Sequence, residues 1–345
     1  MSFGVVPTCR RLAAAAAGLS RTVLPVAVLL ASRAAVAGVT APNQSRSPAT
    51  VAPASFSIHD LMPDFWKFWA AAQGQPVARQ AELWQPLYVK PHRGLFDDLT
   101  PACKEEYDPA WARANYFPHL PAIVPGIRGA DSGLPRKLSA ARQRFLRMFP
   151  DMRWSGDVYL MASGYCFNGR AQIIAGHEAI LLGIDTRVAL GQKDPIPDMT
   201  HELFHRYHYQ FFDFKPSSGY PLWTTLWAEG MALYVAERLN PQASDADLSL
   251  FPIGMPGRVD GRRQELAADF LKVFGATDEA DARRWFNDQN SKDPVIPARA
   301  GYQLGARVAP QIARRYSIQT MAHWSRSQAQ PRIRAALRSI AQARD

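Results

Sequence analysis

The sequence predicts an α+β fold: mainly helical, with a small antiparallel or mixed sheet preceding a helix that opens near Pro195. Three observations predict it. The β-prone runs cluster in one stretch, 157–184, and helix-like segments fill most of the chain on either side. The 27 prolines and 22 glycines follow no regular period, which excludes a solenoid. A length of 345 residues with a hydrophobic fraction of 47% supports a sizeable core, as one large domain or two small ones.

Residues 1–37 carry Arg10, Arg11, Arg21 and Arg33 and no acidic residue. Two apolar runs, Leu12–Leu19 and Val23–Ala31, precede Ala35-Val36-Ala37, the small-x-small pattern of a signal-peptide cleavage site. The second run falls short of the roughly 20 residues a membrane span needs. This predicts an export signal cleaved after Ala37, a periplasmic or secreted product, and no stable membrane span. Residues 38–55 are small, polar and proline-containing, the composition of a linker.

Without the leader the net charge is +6, from 36 basic and 30 acidic residues. The bases read as single residues or pairs, such as Arg262-Arg263 and Arg314-Arg315, with no stripe of interleaved aromatics. Nucleic acid is therefore not the expected partner. Cys103 and Cys166 remain after the leader and could pair in an oxidising compartment. No CxxC is present to suggest a redox or cysteine–zinc motif.

Residues 56–150 read as a mostly helical region. Helices are predicted over Asp64–Ala72 and Ser139–Met148, whose first residues are capping types. Prolines between Pro91 and Pro125 interrupt the middle. The second region, 151–345, opens with the β-prone runs Asp157–Phe167, Arg170–Ile174 and Glu178–Ile184. Asn168-Gly169 between the first two predicts a hairpin turn there. Asp194-Pro-Ile-Pro then starts a helix over 196–211, and a second helix covers Leu222–Leu239 before Asn240-Pro241. The remainder reads as helices near 261–274, 279–287, 302–315, 317–325 and 331–343.

The first of the two central helices contains His201-Glu202-Leu203-Phe204-His205. Histidines four apart share one helix face, so both imidazoles can reach one Zn²⁺. Glu202 can sit beside a water whose pKa the ion lowers, and take its proton. By composition the string is expected about 0.005 times in such a chain. A catalytic zinc needs a third protein ligand and an open position. The metzincin extension HExxHxxGxxH is excluded, because His208 and Phe211 stand at the Gly and His positions. Glu229, in the second helix, is the gluzincin alternative; the intervening residues suffice for a loop and an antiparallel return. Gly230 and Ala232 would let the two helices approach closely around the metal. His208 shares the face of His201 but lies about 10 Å along the axis, which suggests a surface or supporting role. Glu237 reads as solvated or paired with Arg238 or Lys193.

On these residues the chain resembles the gluzincin metallopeptidases. More narrowly it is similar to poorly characterised predicted bacterial zinc-dependent proteases. These share a strand before the motif helix and a Glu-Gly-x-Ala-x-Tyr second helix, and often a Gly-Tyr-x-x-Gly helix start. The counterparts here are Glu178–Ile184, Glu229–Tyr234 and Gly301–Gly305, so the resemblance spans about 157–315. It implies a zincin-like core over 151–345, one zinc ion per chain, and hydrolysis of a peptide or protein substrate. Zinc would polarise the carbonyl and Glu202 would activate water. Tyr302 is the candidate oxyanion donor, with Tyr234 and His208 as rivals and a buried aromatic as the plain alternative. Strand 157–167 is a candidate edge strand for an extended substrate. One departure stands out: thermolysin-like enzymes place an Asp one turn after the glutamate ligand, and here that position is Leu233. The alternatives to a peptidase are a non-catalytic zinc-binding or scaffold protein of the envelope and a zinc amidase acting on a non-protein substrate. A closed structural site would need a fourth His or Cys ligand, and none is well placed.

Overall fold

The computed structural model describes residues 56–214, 219–248, 254–286 and 295–343. The leader read over 1–37 and the linker over 38–55 lie outside the described residues. Proline sets many of the helix starts, because its fixed φ and missing N–H suit the first turn. It occupies that turn in α1 (Met62–Ala72), α4 (Pro109–Asn115), α5 (Leu120–Asp131) and α6 (Leu134–Met148). This moves two predicted starts. Asp64 lies inside the first turn of α1, and Ser139 lies in the interior of α6, after a left-handed Gly133 and Pro135. The first region also contains α2 (Val77–Trp84), a π-helical segment Gln85–Val89, a 3-10 turn Lys90–His92 and α3 (Arg93–Leu99). Its aromatic core includes Phe65, Phe68, Trp84, Tyr88 and Phe117.

Four strands form one mixed sheet in the order β1-β2-β4-β3. They are β1 (Ser57–Asp60), β2 (Asp157–Met161), β3 (Gly169–Ile174) and β4 (His177–Gly183). Strand β2 pairs in parallel with both β1 and β4, while β3 runs antiparallel to β4. Three expectations change. β1 falls where the sequence read as helical. The run 157–167 is not an edge strand: it stops at Met161 in the sheet interior, and the edges are β1 and β3. The hairpin turn is Ala175-Gly176, not Asn168-Gly169. Both of its residues have positive φ, 49° and 81°, as a two-residue turn with the twist of the strands requires.

Residues 162–168 form a loop instead of strand. Buried Asp185 gathers it, accepting from the backbone N–H of Ser163 at 2.7 Å and of Gly164 at 2.8 Å. Gly164 and Tyr165 take positive φ there. Cys166, on the same loop, is disulfide-bonded to Cys103, with Cα atoms 5.5 Å apart. The pairing left open by the sequence is thus made, and it staples the first region to the sheet.

After the sheet come α7 (Ile184–Ala189), α8 (Ile196–His208), α9 (Leu222–Leu239), α10 (Asp245–Leu248) and α11 (Met255–Asp260). Then follow α12 (Arg263–Lys272), α13 (Glu279–Phe286), α14 (Ala300–Ala313), α15 (Ile318–Ala322) and α16 (Arg326–Ala341). One connected core runs through both regions. Helix α9 is nearly all buried, flanked by α8 on one side and α14 on another. Among the described residues no helix is long and apolar enough to cross a membrane.

Candidate metal centre

Helix α8 opens on Pro195-Ile196-Pro197 and carries the His-Glu-x-x-His string in its middle. Its start is fixed from three directions. Asp198 and Arg187 form an ion pair at 2.7 Å with almost no exposure, joining α8 to α7. Gly169 lets β3 approach the same carboxylate, since a Cβ there would lie 2.1 Å from Asp198 Oδ2. Asn240, just past α9, donates to Thr200 Oγ1 at 3.2 Å and ties the far end of α9 to the start of α8. The other end of α8 is packed by Phe149, whose ring lies 5.6 Å from Phe204 and 4.4 Å from Tyr207.

The structure brings His201, His205 and Glu229 together, and these three could hold a metal ion. The two Nε2 atoms are 2.9 Å apart, and each lies 3.3 Å from Glu229 Oε2. Three ligands about 2.0–2.1 Å from one tetrahedral ion would be about 3.3–3.4 Å apart. Two of the three separations match, and the third is slightly short. The donor set, two imidazole nitrogens and one carboxylate, also suits zinc. Both histidines are buried and the Glu229 side chain is 16% exposed.

The electrostatics are those of a charged cluster in a partly dry pocket. Burial alone would raise the Glu229 carboxyl, but His205 and His201 overcome it and hold the group well below its ordinary range. Burial alone would lower His201; the hydrogen bond to Glu229 and that residue's charge raise it instead. Burial pushes the Glu202 carboxyl up, against the pull of His205 and His201. Glu202 follows His201 directly in the chain and is half-buried.

The other sequence candidates fall differently. Tyr302, at the start of α14, lies edge-to-face on Phe286 at 6.1 Å, with the Arg299 guanidinium 5.7 Å from its ring centre. Arg299 itself has positive φ, 55°. His208 is not at the surface. It is fully buried, stacked on Phe212 at 4.8 Å, and neither ring nitrogen has a hydrogen-bond partner among the described residues. Burial depresses its pKa to about 3. Glu237 pairs with Arg307 of α14 at 3.5 Å, not with Arg238 or Lys193. Gly230 does not serve the α8–α9 contact. A Cβ on it would lie 2.3 Å from the backbone of Gly305, so it marks where α9 crosses α14. Leu233, where thermolysin-like enzymes have a carboxylate, is buried, and the Nδ1 atoms of His201 and His205 are buried and without partners among the described residues.

Two features were not read from the sequence. The Arg187–Asp198 pair was signalled only by charges inside apolar stretches. Tyr209 was signalled by its spacing, one turn after His205, and its ring stacks on that imidazole at 5.2 Å. Burial raises its phenol far above the usual range, and the charges of Glu229 and Glu202 add to this.

None of the protein-family models, curated proteins or solved structures compared with the chain matches it.

Proposed function

We propose that the protein is an exported zinc-dependent hydrolase, and that its substrate is a peptide. The observation that carries this is the convergence of His201 Nε2, His205 Nε2 and Glu229 Oε2 on one point, with Glu202 next to His201 in the chain. His201, His205 and Glu229 would hold the ion. When bound, it would supply Lewis acidity toward a carbonyl oxygen and lower the pKa of a nearby water. Glu202 would take the proton from that water and return it to the leaving nitrogen. A tyrosine hydroxyl, from Tyr302 or Tyr209, would donate to the developing oxyanion. The free edge of β3, beside α8, would pair with an extended substrate through its backbone.

Zinc content of the purified protein and of Glu229→Ala tests the site. About one zinc per chain in the parent, lost or much weakened in the variant, is expected. No zinc in the parent after reconstitution overturns the proposal. Glu202→Gln separates catalysis from binding: it should keep the metal and lose turnover on a peptide library by about 10²–10⁴-fold. Undiminished turnover in Glu202→Gln removes Glu202 as the base.

A further inference from the structure

The basic residues look scattered in the sequence, but two helices concentrate them: α16 holds four arginines, three of which lie over aromatic rings (Arg326, Arg332 and Arg334), and α6 holds five bases. Residues 134–148, the whole of α6, hold Arg136, Lys137, Arg142, Arg144 and Arg147 and no acidic residue. That is +5, against +6 for the entire chain from residue 38. At about 100° per residue, Arg136, Lys137, Arg144 and Arg147 fall within an arc of about 100°. Leu134, Leu138, Ala141 and Phe145 occupy the opposite face and are buried, where α6 packs toward α8 and α9. Arg136, Lys137 and Arg147 are exposed and Arg144 is half-buried, and the four form a row about 17 Å long on the side away from the core.

Among the described residues nothing neutralises this row, and none of the four makes an ion pair. The acids flanking the helix are engaged elsewhere: Asp131 accepts from the Trp66 indole at 2.6 Å, and Asp151 is held by Tyr207 at 2.9 Å and His323 at 2.9 Å. Arg142, at the margin, lies over the Phe56 ring at 4.5 Å and is packed inward. The spaces between the cations are filled by Ala140 and Gln143, both exposed. The face therefore holds no aromatic on which a base could stack.

We propose that this face of α6 docks the protein on a membrane surface rich in anionic phospholipid headgroups. Four long cationic side chains on one exposed helix face match a plane of phosphates, because each can reach its own headgroup without a shaped groove. Single-stranded nucleic acid would call for stacking aromatics, which the face lacks. The inference does not depend on the metal reading, since α6 supplies none of the metal-ligand candidates.

The test is co-sedimentation of the purified protein with vesicles of phosphatidylcholine alone, and of phosphatidylcholine with an equal part of phosphatidylglycerol. Binding to the anionic vesicles only, weakened by added salt, is expected. The variant R136Q/K137Q/R144Q/R147Q should lose affinity on the order of a thousandfold, at about fivefold per cation. A control variant, R258Q/R314Q/R315Q/R338Q, removes four exposed charges elsewhere and should keep most of the binding. Circular dichroism and a denaturation midpoint check that each variant is folded. The proposal is overturned if the parent ignores anionic vesicles, or binds neutral ones as well. It is also overturned if the two variants lose binding equally, or if duplex or single-stranded DNA competes the protein off the vesicles at lower phosphate concentration than the lipid.

Discussion

His208 offers a direct measure of how dry the interior is behind the candidate site. Replacing it with Phe keeps a ring against Phe212 and removes two ring nitrogens that have no partner among the described residues. Above its ordinary pKa of 6.5 the imidazole is neutral in both folded and unfolded chains, and titration contributes nothing. Below 6.5 the unfolded chain binds a proton that the folded chain refuses until about pH 3. Stability is therefore lost as pH falls through this window. Between about pH 7.5 and about pH 5 the loss through this one residue is about 2 kcal/mol. Urea denaturation of metal-free parent and His208→Phe at both pH values isolates the effect. Other titrating groups are common to both proteins and cancel, and any packing penalty of the larger ring is the same at each pH. The variant should be less acid-sensitive by about 2 kcal/mol over that interval. Parallel pH profiles for the two proteins would refute the argument, and would mean that the imidazole is solvated or hydrogen-bonded.

Three further outcomes follow from the packing. Asp198→Ala leaves the Arg187 guanidinium buried without its counter-ion and should cost about 3–5 kcal/mol in denaturation, whereas the paired replacement R187M/D198L should recover most of it. Gly230→Ala places a methyl against the backbone of Gly305, which cannot give as a side chain would, so α9 and α14 must separate; a loss of about 3 kcal/mol is expected in thermal or urea melts. Cys166→Ser opens a loop with a sequence separation of 63 and should lower stability by about 4 kcal/mol, an effect that reduction of the parent should reproduce.

The two central helices were legible because their boundaries are written locally. Pro-Ile-Pro opens α8, which ends at His208 and not at the expected 211, and Asn240-Pro241 closes α9 at the predicted residue. The ligand set was legible for the same reason: the i, i+4 histidines need only a helix, and Glu229 needs only its antiparallel return. The sheet order was not legible. Strand β2 pairs with β1 across a long stretch of chain and with β4 past the intervening β3, and β1 has only four residues. The glycines misled for a physical reason. Gly169 carries the sequence signal of a turn, yet its place is set by the approach of Asp198. The actual turn uses Ala175, a residue that rarely advertises positive φ. Likewise Gly230 marks a helix crossing, but sequence alone could not say which helix crosses there.

The orientation of the histidines raises a last question with a testable answer. Metal-binding imidazoles are usually held by a hydrogen bond from the second ring nitrogen, and here both Nδ1 atoms are buried without a partner among the described residues. Leu233 supplies bulk where a carboxylate would supply an acceptor. Packing must then fix the rings. His201 and His205 meet edge to face at 4.6 Å, and Tyr209 covers the remaining face of His205 at 5.2 Å, nearly parallel. The ring of Tyr209, not its hydroxyl, is the element that should matter for affinity. Tyr209→Ala should weaken zinc binding by about 10–100-fold, the scale found when an orienting contact is lost, while Tyr209→Phe should leave it unchanged. Competition against a chromophoric chelator reads both. If Tyr209→Phe weakens binding as much as Tyr209→Ala, the hydroxyl orients the site and the stacking argument fails. If neither changes it, His205 is held by the helix backbone alone.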